Sequence, residues 1–153
     1  MTIYYGRSIV GAMAFVVLIL WLIQGAVGVT LFVGWLRHAR GRGAKLVVTH
    51  VAMMLAGLAC WIWFIASGSL IAAWGAYAII TVFIGFGDAM LLARARRLAP
   101  EAATTLQAYG VAIIGTLRGR FPPNVAFHTW FSPVVWFTCL GVCIGATIAA
   151  TAG

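Results

Sequence analysis

The chain has 153 residues, 64% of them hydrophobic and only 8% charged, with ten Lys and Arg against two acids and a formal net charge of +8. A soluble domain carries about a quarter charged residues to keep its surface in water, so this composition excludes one and leaves lipid as the solvent. The basic excess lies in short runs at the ends of apolar stretches, which points to membrane orientation and anionic headgroups and not to nucleic acid.

The first apolar stretch covers about residues 8–36 and ends at Arg37, His38, Arg40, Arg42 and Lys45. It is too long for a signal-peptide core, and a basic run follows it where a cleavage site would need small residues. Gln24 lies near its middle, where an amide in lipid must bond to another helix or to a ligand. The second stretch covers residues 46–66, and the tight Ser67-Gly68-Ser69 link leads into a third at residues 70–93, closed by Arg94, Arg96 and Arg97. The fourth covers residues 124–150. A span takes about 20 residues, and only helices satisfy their own backbone in lipid without closing a barrel. Residues 1–153 are therefore expected to form one membrane domain, with loops at residues 37–45 and 94–123.

The longer loop has structure of its own. Pro100 and Glu101 read as a helix start, since proline fits the first turn and an acid suits the helix dipole. Leu106, Tyr109, Ile113 and Leu117 then recur at helical spacing, as in an amphipathic helix lying in the membrane interface. Pro122-Pro123 breaks the chain, Asn124 reads as the next N-cap, and Pro133 should kink the fourth span. The expected fold is all-α: an integral membrane up-and-down four-helix bundle with an interfacial amphipathic helix between spans three and four. Gly141, Gly145 and Ala149 on the fourth span, and Ala52, Ala56 and Cys60 on the second, are spaced as ladders along which backbones approach closely.

Nine of the ten basic residues lie in the two loops that share one side, and Arg7 alone lies on the other. The positive-inside rule then puts both loops in the cytoplasm and both termini outside. The Ala-, Gly- and Arg-rich usage points to a bacterial inner membrane. Cys60, Cys139 and Cys143 all fall inside apolar runs, which excludes a secreted disulfide framework. Three thiols with Met53, Met54 or Met90 are a conceivable soft-metal set, but a neutral cysteine also packs as a small apolar residue.

Ionisable residues inside a membrane are expensive and are functional candidates by default. His50 lies five residues past Lys45, roughly 7–8 Å deeper at 1.5 Å per residue. Asp88 lies six residues before Arg94, roughly 9 Å deep by the same rise, and His128 follows Arg120 by eight. All three converge on the cytoplasmic leaflet from three different helices. Two histidines facing across a helical bundle are what a b-type haem needs, one imidazole on each axial face of the iron. Arg94, Arg97 and Arg120 are candidates for the propionates, and Asp88 for holding the second nitrogen of one histidine as outer carboxylates do. Trp61, Trp63, Phe127, Trp130, Phe131 and Trp136 offer packing for the macrocycle.

On Val48-Thr49-His50-Val51-Ala52 and Ala126-Phe127-His128-Thr129-Trp130, the chain resembles the small four-helix membrane b-type cytochromes. Members of such families often have two histidine pairs; this chain has one, so the resemblance implies a single haem b near the cytoplasmic face. A quinone would suit it as electron partner, since a membrane haem exchanges electrons readily with a lipid-soluble carrier. Two other readings fit the same residues. One is a non-catalytic accessory or assembly subunit of a larger membrane complex or homo-oligomer, in keeping with the small size and short outer loops. The other is a small proton-coupled transporter using Asp88, weakened by the absence of inverted repeats. No nucleotide loop, hydrolytic triad or carboxylate pair is present, so the chain is not expected to be an enzyme on its own, only at most a component of an oxidoreductase.

Overall fold

The structure, a computed structural model, describes residues 2–39 and 41–152, with side chains from residue 9 onward apart from residue 40. Arg40 and the side chain of Arg7 thus lie outside the described residues. Five helices follow one another: α1 Thr2–His38, α2 Ala44–Ser67, α3 Leu70–Leu98, α4 Thr105–Leu117 and α5 Pro123–Thr151. Four of them (α1, α2, α3 and α5) are long and apolar enough to cross a membrane. They form the expected bundle, with the α1–α2 turn and the α3–α5 connection at one end. Within the most apolar window of α1, α2 or α3 only 17% of residues are buried in the protein. The remaining apolar surface, such as Ile71 and Phe137, needs lipid for solvent.

The helix ends have local causes. Gly68 closes α2 at φ 70°, its N–H donating to the Phe64 carbonyl, and the Ser69 side chain accepts from Ala72 N–H to open α3. A left-handed glycine followed by a serine cap makes the short α2–α3 hairpin. The start of α4 lies later than Pro100-Glu101. Thr104 and Gln107 form a reciprocal capping box, which satisfies two otherwise orphaned N–H groups, whereas residues 100–103 form no helix. At α5 the cap position is Pro122 with Pro123 in the first turn, where a missing N–H costs nothing. Asn124 is therefore inside the helix, not its cap. The helix runs on through Pro133.

Helix α2 packs most extensively on α3, and α1 on α5, while α1 and α2 meet only sparsely. The bundle is thus two tight pairs set side by side. Its dry core lies at the end opposite α4: Trp21, Trp61, Ala73, Ala76, Val135, Cys139 and Cys143. Indole N–H groups tie helices together, Trp61 to the Ala14 carbonyl at 3.0 Å, Trp136 to Thr81 at 2.9 Å and Trp74 to Thr147 at 3.0 Å. The buried stripe on α5 is Cys139, Val142, Cys143 and Ala146; of the expected ladder, Gly145 lies against Val10 of α1, 3.6 Å from where a Cβ would stand, whereas Gly141 has nothing within 4 Å. Ala52 on α2 likewise faces outward, and Gly57 makes the close approach, with the Trp21 ring 3.1 Å from where a Cβ would stand.

Helix α4 lies on α3 and touches α5. Its small residues, Ala108, Ala112 and Gly115, face the bundle, while Leu106, Ile113 and Leu117 are exposed. The exposed apolar stripe is the face an interfacial helix gives to lipid. Tyr109 departs from that stripe and turns inward.

Candidate site between two helix pairs

The gap between the pairs is a cavity of about 320 Å³, within the range of small-molecule sites. Its wall is mostly apolar, with Trp21, Phe32, Trp35, Met54, Ile80 and Ile84 among the residues, and it carries His50, Asp88, His128, Gln24 and Arg94. The three expected intramembrane ionisable residues therefore share one cavity, with one helix each from α2, α3 and α5.

Each histidine sits on a glycine of its partner helix. A Cβ at Gly87 on α3 would lie 3.1 Å from His50 Cε1, and one at Gly28 on α1 would lie 3.3 Å from His128 Cε1. A side chain at either position would crowd the imidazole, which would have to give by a few tenths of an ångström. Each tight pair thus contributes one imidazole to the cavity, one from α2 on α3 and one from α5 on α1.

His50 Nδ1 lies 3.1 Å from the Phe83 carbonyl oxygen. A carbonyl can only accept, so Nδ1 carries the proton and Nε2 keeps its lone pair. Metal-ligating histidines are usually oriented in this way, by a second bond from the other nitrogen. The partner is the Phe83 carbonyl; Asp88, expected to hold the second nitrogen of one histidine, does not hold His50. Asp88 accepts from the Tyr109 hydroxyl at 3.0 Å, an aromatic on α4 that brings a donor to the carboxylate. Among the described residues, neither His128 Nδ1 nor Gln24 Oε1 has a hydrogen-bond partner. The other end of the Gln24 amide donates from Nε2 to the His128 backbone carbonyl at 2.8 Å, the interhelical bond expected of an amide at that depth.

The cavity continues toward the loops into a wider vestibule of about 710 Å³ that shares Leu31, Trp35, Val47, Met90, Arg94 and Val125 with it. Its rim adds His38, Arg42 and Arg97 and no acid. Arg94 lines both spaces and Arg97 only the vestibule, whereas Arg120 lines neither and stands exposed after α4. Arg42 and His38 were not singled out for an anion by sequence; their place in the α1–α2 turn puts them there. On the opposite side, the exposed members of the inner wall include Gly25 and Val29 on α1 and Leu55 on α2. Where these two helices meet sparsely, the cavity opens sideways toward lipid.

Among the described residues no three His, Cys, Asp or Glu side chains cluster as a metal set. Cys139 and Cys143 are fully buried in the core, with the Cys143 thiol against the Ala73 carbonyl at 3.5 Å. Iron in a haem needs only two axial ligands from the protein, since the macrocycle supplies the other four. The donors fit that group. Two imidazoles from opposite helix pairs face one apolar slot, each seated on a glycine, with arginines at the slot's polar mouth.

No family model matches the chain, and no curated protein or solved structure matches it either. Function has to be argued from the cavity itself.

Proposed function

We propose that the protein is a membrane redox protein that holds one b-type haem between His50 and His128. The observation that carries this reading is the pairing of the two imidazoles across one apolar cavity, each backed by a glycine, with His50 already oriented to present Nε2. Arg94 at the cavity mouth, with Arg97 and Arg42 on the vestibule rim, would meet the two propionates, and charge-assisted bonds of this kind are the strong ones. Bound there, the haem would supply reversible one-electron chemistry. The protein's own part is to fix the imidazoles, exclude water with Trp21, Phe32 and Ile80, and neutralise the anionic edge.

The basic loops support a cytoplasmic placement of the vestibule, with both termini outside, in a bacterial inner membrane. The lateral opening between α1 and α2 favours a partner dissolved in the bilayer, and a quinone is the redox carrier of that class. The chain would then serve as an electron carrier or sensor, alone or in a larger membrane complex. Expression with haem available, followed by visible spectra of wild type, His50→Ala and His128→Ala, tests the reading. Both alanine variants should fold and lose the six-coordinate band.

A second reading rests on Asp88, which lines the same cavity and is tied to Tyr109. A proton-coupled transporter would use this carboxylate as its proton site. Asp88→Asn in vesicles would then abolish substrate-driven proton movement; unchanged movement removes that reading.

A further inference from the structure

The vestibule is walled by the ends of all four membrane-spanning helices: the last turns of α1 and α3 and the first turns of α2 and α5. It therefore lies at the level where apolar spans give way to headgroups. Arg42, Arg94 and Arg97 stand on its wall with His38, and among the described residues no acid joins them. Both acids of the chain are placed elsewhere. Asp88 accepts from Tyr109 beside the inner cavity, and Glu101 stands exposed in the loop after α3. The charge of the rim is left for an anion from outside the chain.

Two of these arginines are held by the main chain around them. Gly41 and Gly43, at φ 78° and 72°, turn the chain between α1 and α2, and the Trp35 indole N–H ties that turn to α1 by donating to the Arg42 carbonyl at 2.8 Å. Arg97 Nε donates to the Ala93 carbonyl at 3.2 Å, which orients its guanidinium and keeps the terminal amino groups as further donors. Beside the rim the wall is apolar, with Leu31, Leu46, Val47 and Val125. Helices α1 and α2 meet only sparsely, and the seam between them continues past the exposed Val29 and Leu55. A ligand that matches this surface has an anionic head and a hydrocarbon tail.

We propose that the vestibule binds one anionic phospholipid, its phosphate held by Arg42 and Arg97 and an acyl chain lying in the seam between α1 and α2. Arginine forks suit phosphate oxygens, and basic pockets between membrane helices are where anionic headgroups are recognised. A dissolved anion would use the rim but gain nothing from the apolar wall. The site does not depend on the haem reading. Two propionates would neutralise two of the three arginine charges, so the rim stays positive with haem or without it. The vestibule, at about 710 Å³ against about 320 Å³ for the inner cavity, also exceeds what two short carboxylate arms fill.

Native mass spectrometry of the full-length protein, released from detergent micelles holding phosphatidylglycerol or phosphatidylcholine, counts bound lipid directly. Wild type should hold one phosphatidylglycerol roughly 25-fold more tightly than phosphatidylcholine, the effect of two basic residues at a membrane surface. Arg42→Gln and Arg97→Gln should each weaken that lipid about fivefold and leave phosphatidylcholine binding unchanged. Arg120→Gln, which lines neither space, should match wild type. Equal binding of the two lipids, or a loss in Arg120→Gln as large as in Arg42→Gln, would overturn the proposal. Displacement of phosphatidylglycerol by millimolar inorganic phosphate would overturn it as well and make the vestibule a site for dissolved anions. Should Arg42→Gln fail to fold, Arg97→Gln carries the same comparison. A colourless protein with this lipid preference keeps the site and removes the haem; a haem protein without the preference does the reverse.

Discussion

Gly28 and His128 meet across the α1–α5 contact so closely that a Cβ at position 28 would lie 3.3 Å from the ring, and Gly87 stands to His50 in the same way at 3.1 Å. A methyl group at either position would crowd the imidazole and require it to give by a few tenths of an ångström. The glycines therefore explain why two large rings can face one slot between tightly packed helices, and they make the seating testable apart from the ligands.

Gly28→Ala and Gly87→Ala should each leave the bundle folded, because alanine is the better helix former by about 1 kcal/mol. Each displaces its histidine at about 0.5–1.5 kcal/mol, which corresponds to haem binding about two- to tenfold weaker. Haem titration of the apo-protein, followed by its absorption, checks this. Unchanged affinity in both variants would mean the seats do not matter.

Trp61→Phe removes the N–H that reaches from α2 to the Ala14 carbonyl of α1. Hydrogen bonds between membrane helices contribute about 0.6 kcal/mol on average, and the smaller ring adds a packing loss. The variant should melt at lower temperature in detergent while its redox spectrum stays that of wild type, since Trp61 lies in the core below the cavity. A spectral change without a stability change would contradict that division.

Much of this fold can be read directly from the chain, and much of the site cannot. Runs of about 20 apolar residues announce the spans, and basic runs mark their ends. His50, Asp88 and His128 stand out because charge is rare in such runs. Which face of each helix packs is hidden, because helices that are apolar all round have no amphipathic contrast. Gly141 and Ala52 look as good for close packing as Gly57 or Ala73, yet only the latter two are buried. The Phe83 carbonyl could not be foreseen as a partner of His50, since a main-chain acceptor leaves no trace in residue identity. Asp88 looked like the partner for that reason. The spacing of Gln24 and Gly28 was visible, but it acquires meaning only once α5 is known to lie against them.

Tyr109 gives a dependence on pH. Burial, and then the hydrogen bond and charge of Asp88, raise its hydroxyl above the ordinary tyrosine value of 10.0. A raised value means that the protonated form is favoured in the folded state, so the bond is fully present below pH 10 and is lost as pH rises through the raised value. Proteolysis of the 99–123 segment in nanodiscs should be constant from neutral pH to about pH 10 and accelerate above it. Tyr109→Phe should be cleaved faster throughout and lack this step. Identical profiles for the two proteins would show that the bond does not hold α4 in place.

The vestibule's basic rim leads to a separate expectation. Arg94→Gln removes the one arginine among the described residues that lines both spaces and should weaken haem binding about 10- to 150-fold, since a charge-assisted bond contributes about 1.5–3 kcal/mol. Arg120→Gln, remote from both spaces, should bind as wild type. Equal losses in the two variants would point to a general charge effect and away from a propionate site.

The central claim is that His50 and His128 hold one haem between the two helix pairs, and the most direct measurement is the visible spectrum of the purified protein, oxidised and then reduced with dithionite, after expression with ample haem. A Soret band that sharpens and shifts on reduction, with α and β bands of six-coordinate low-spin iron and one haem per chain, is the expected result. A well-folded, colourless protein that takes up no haem on titration would contradict it.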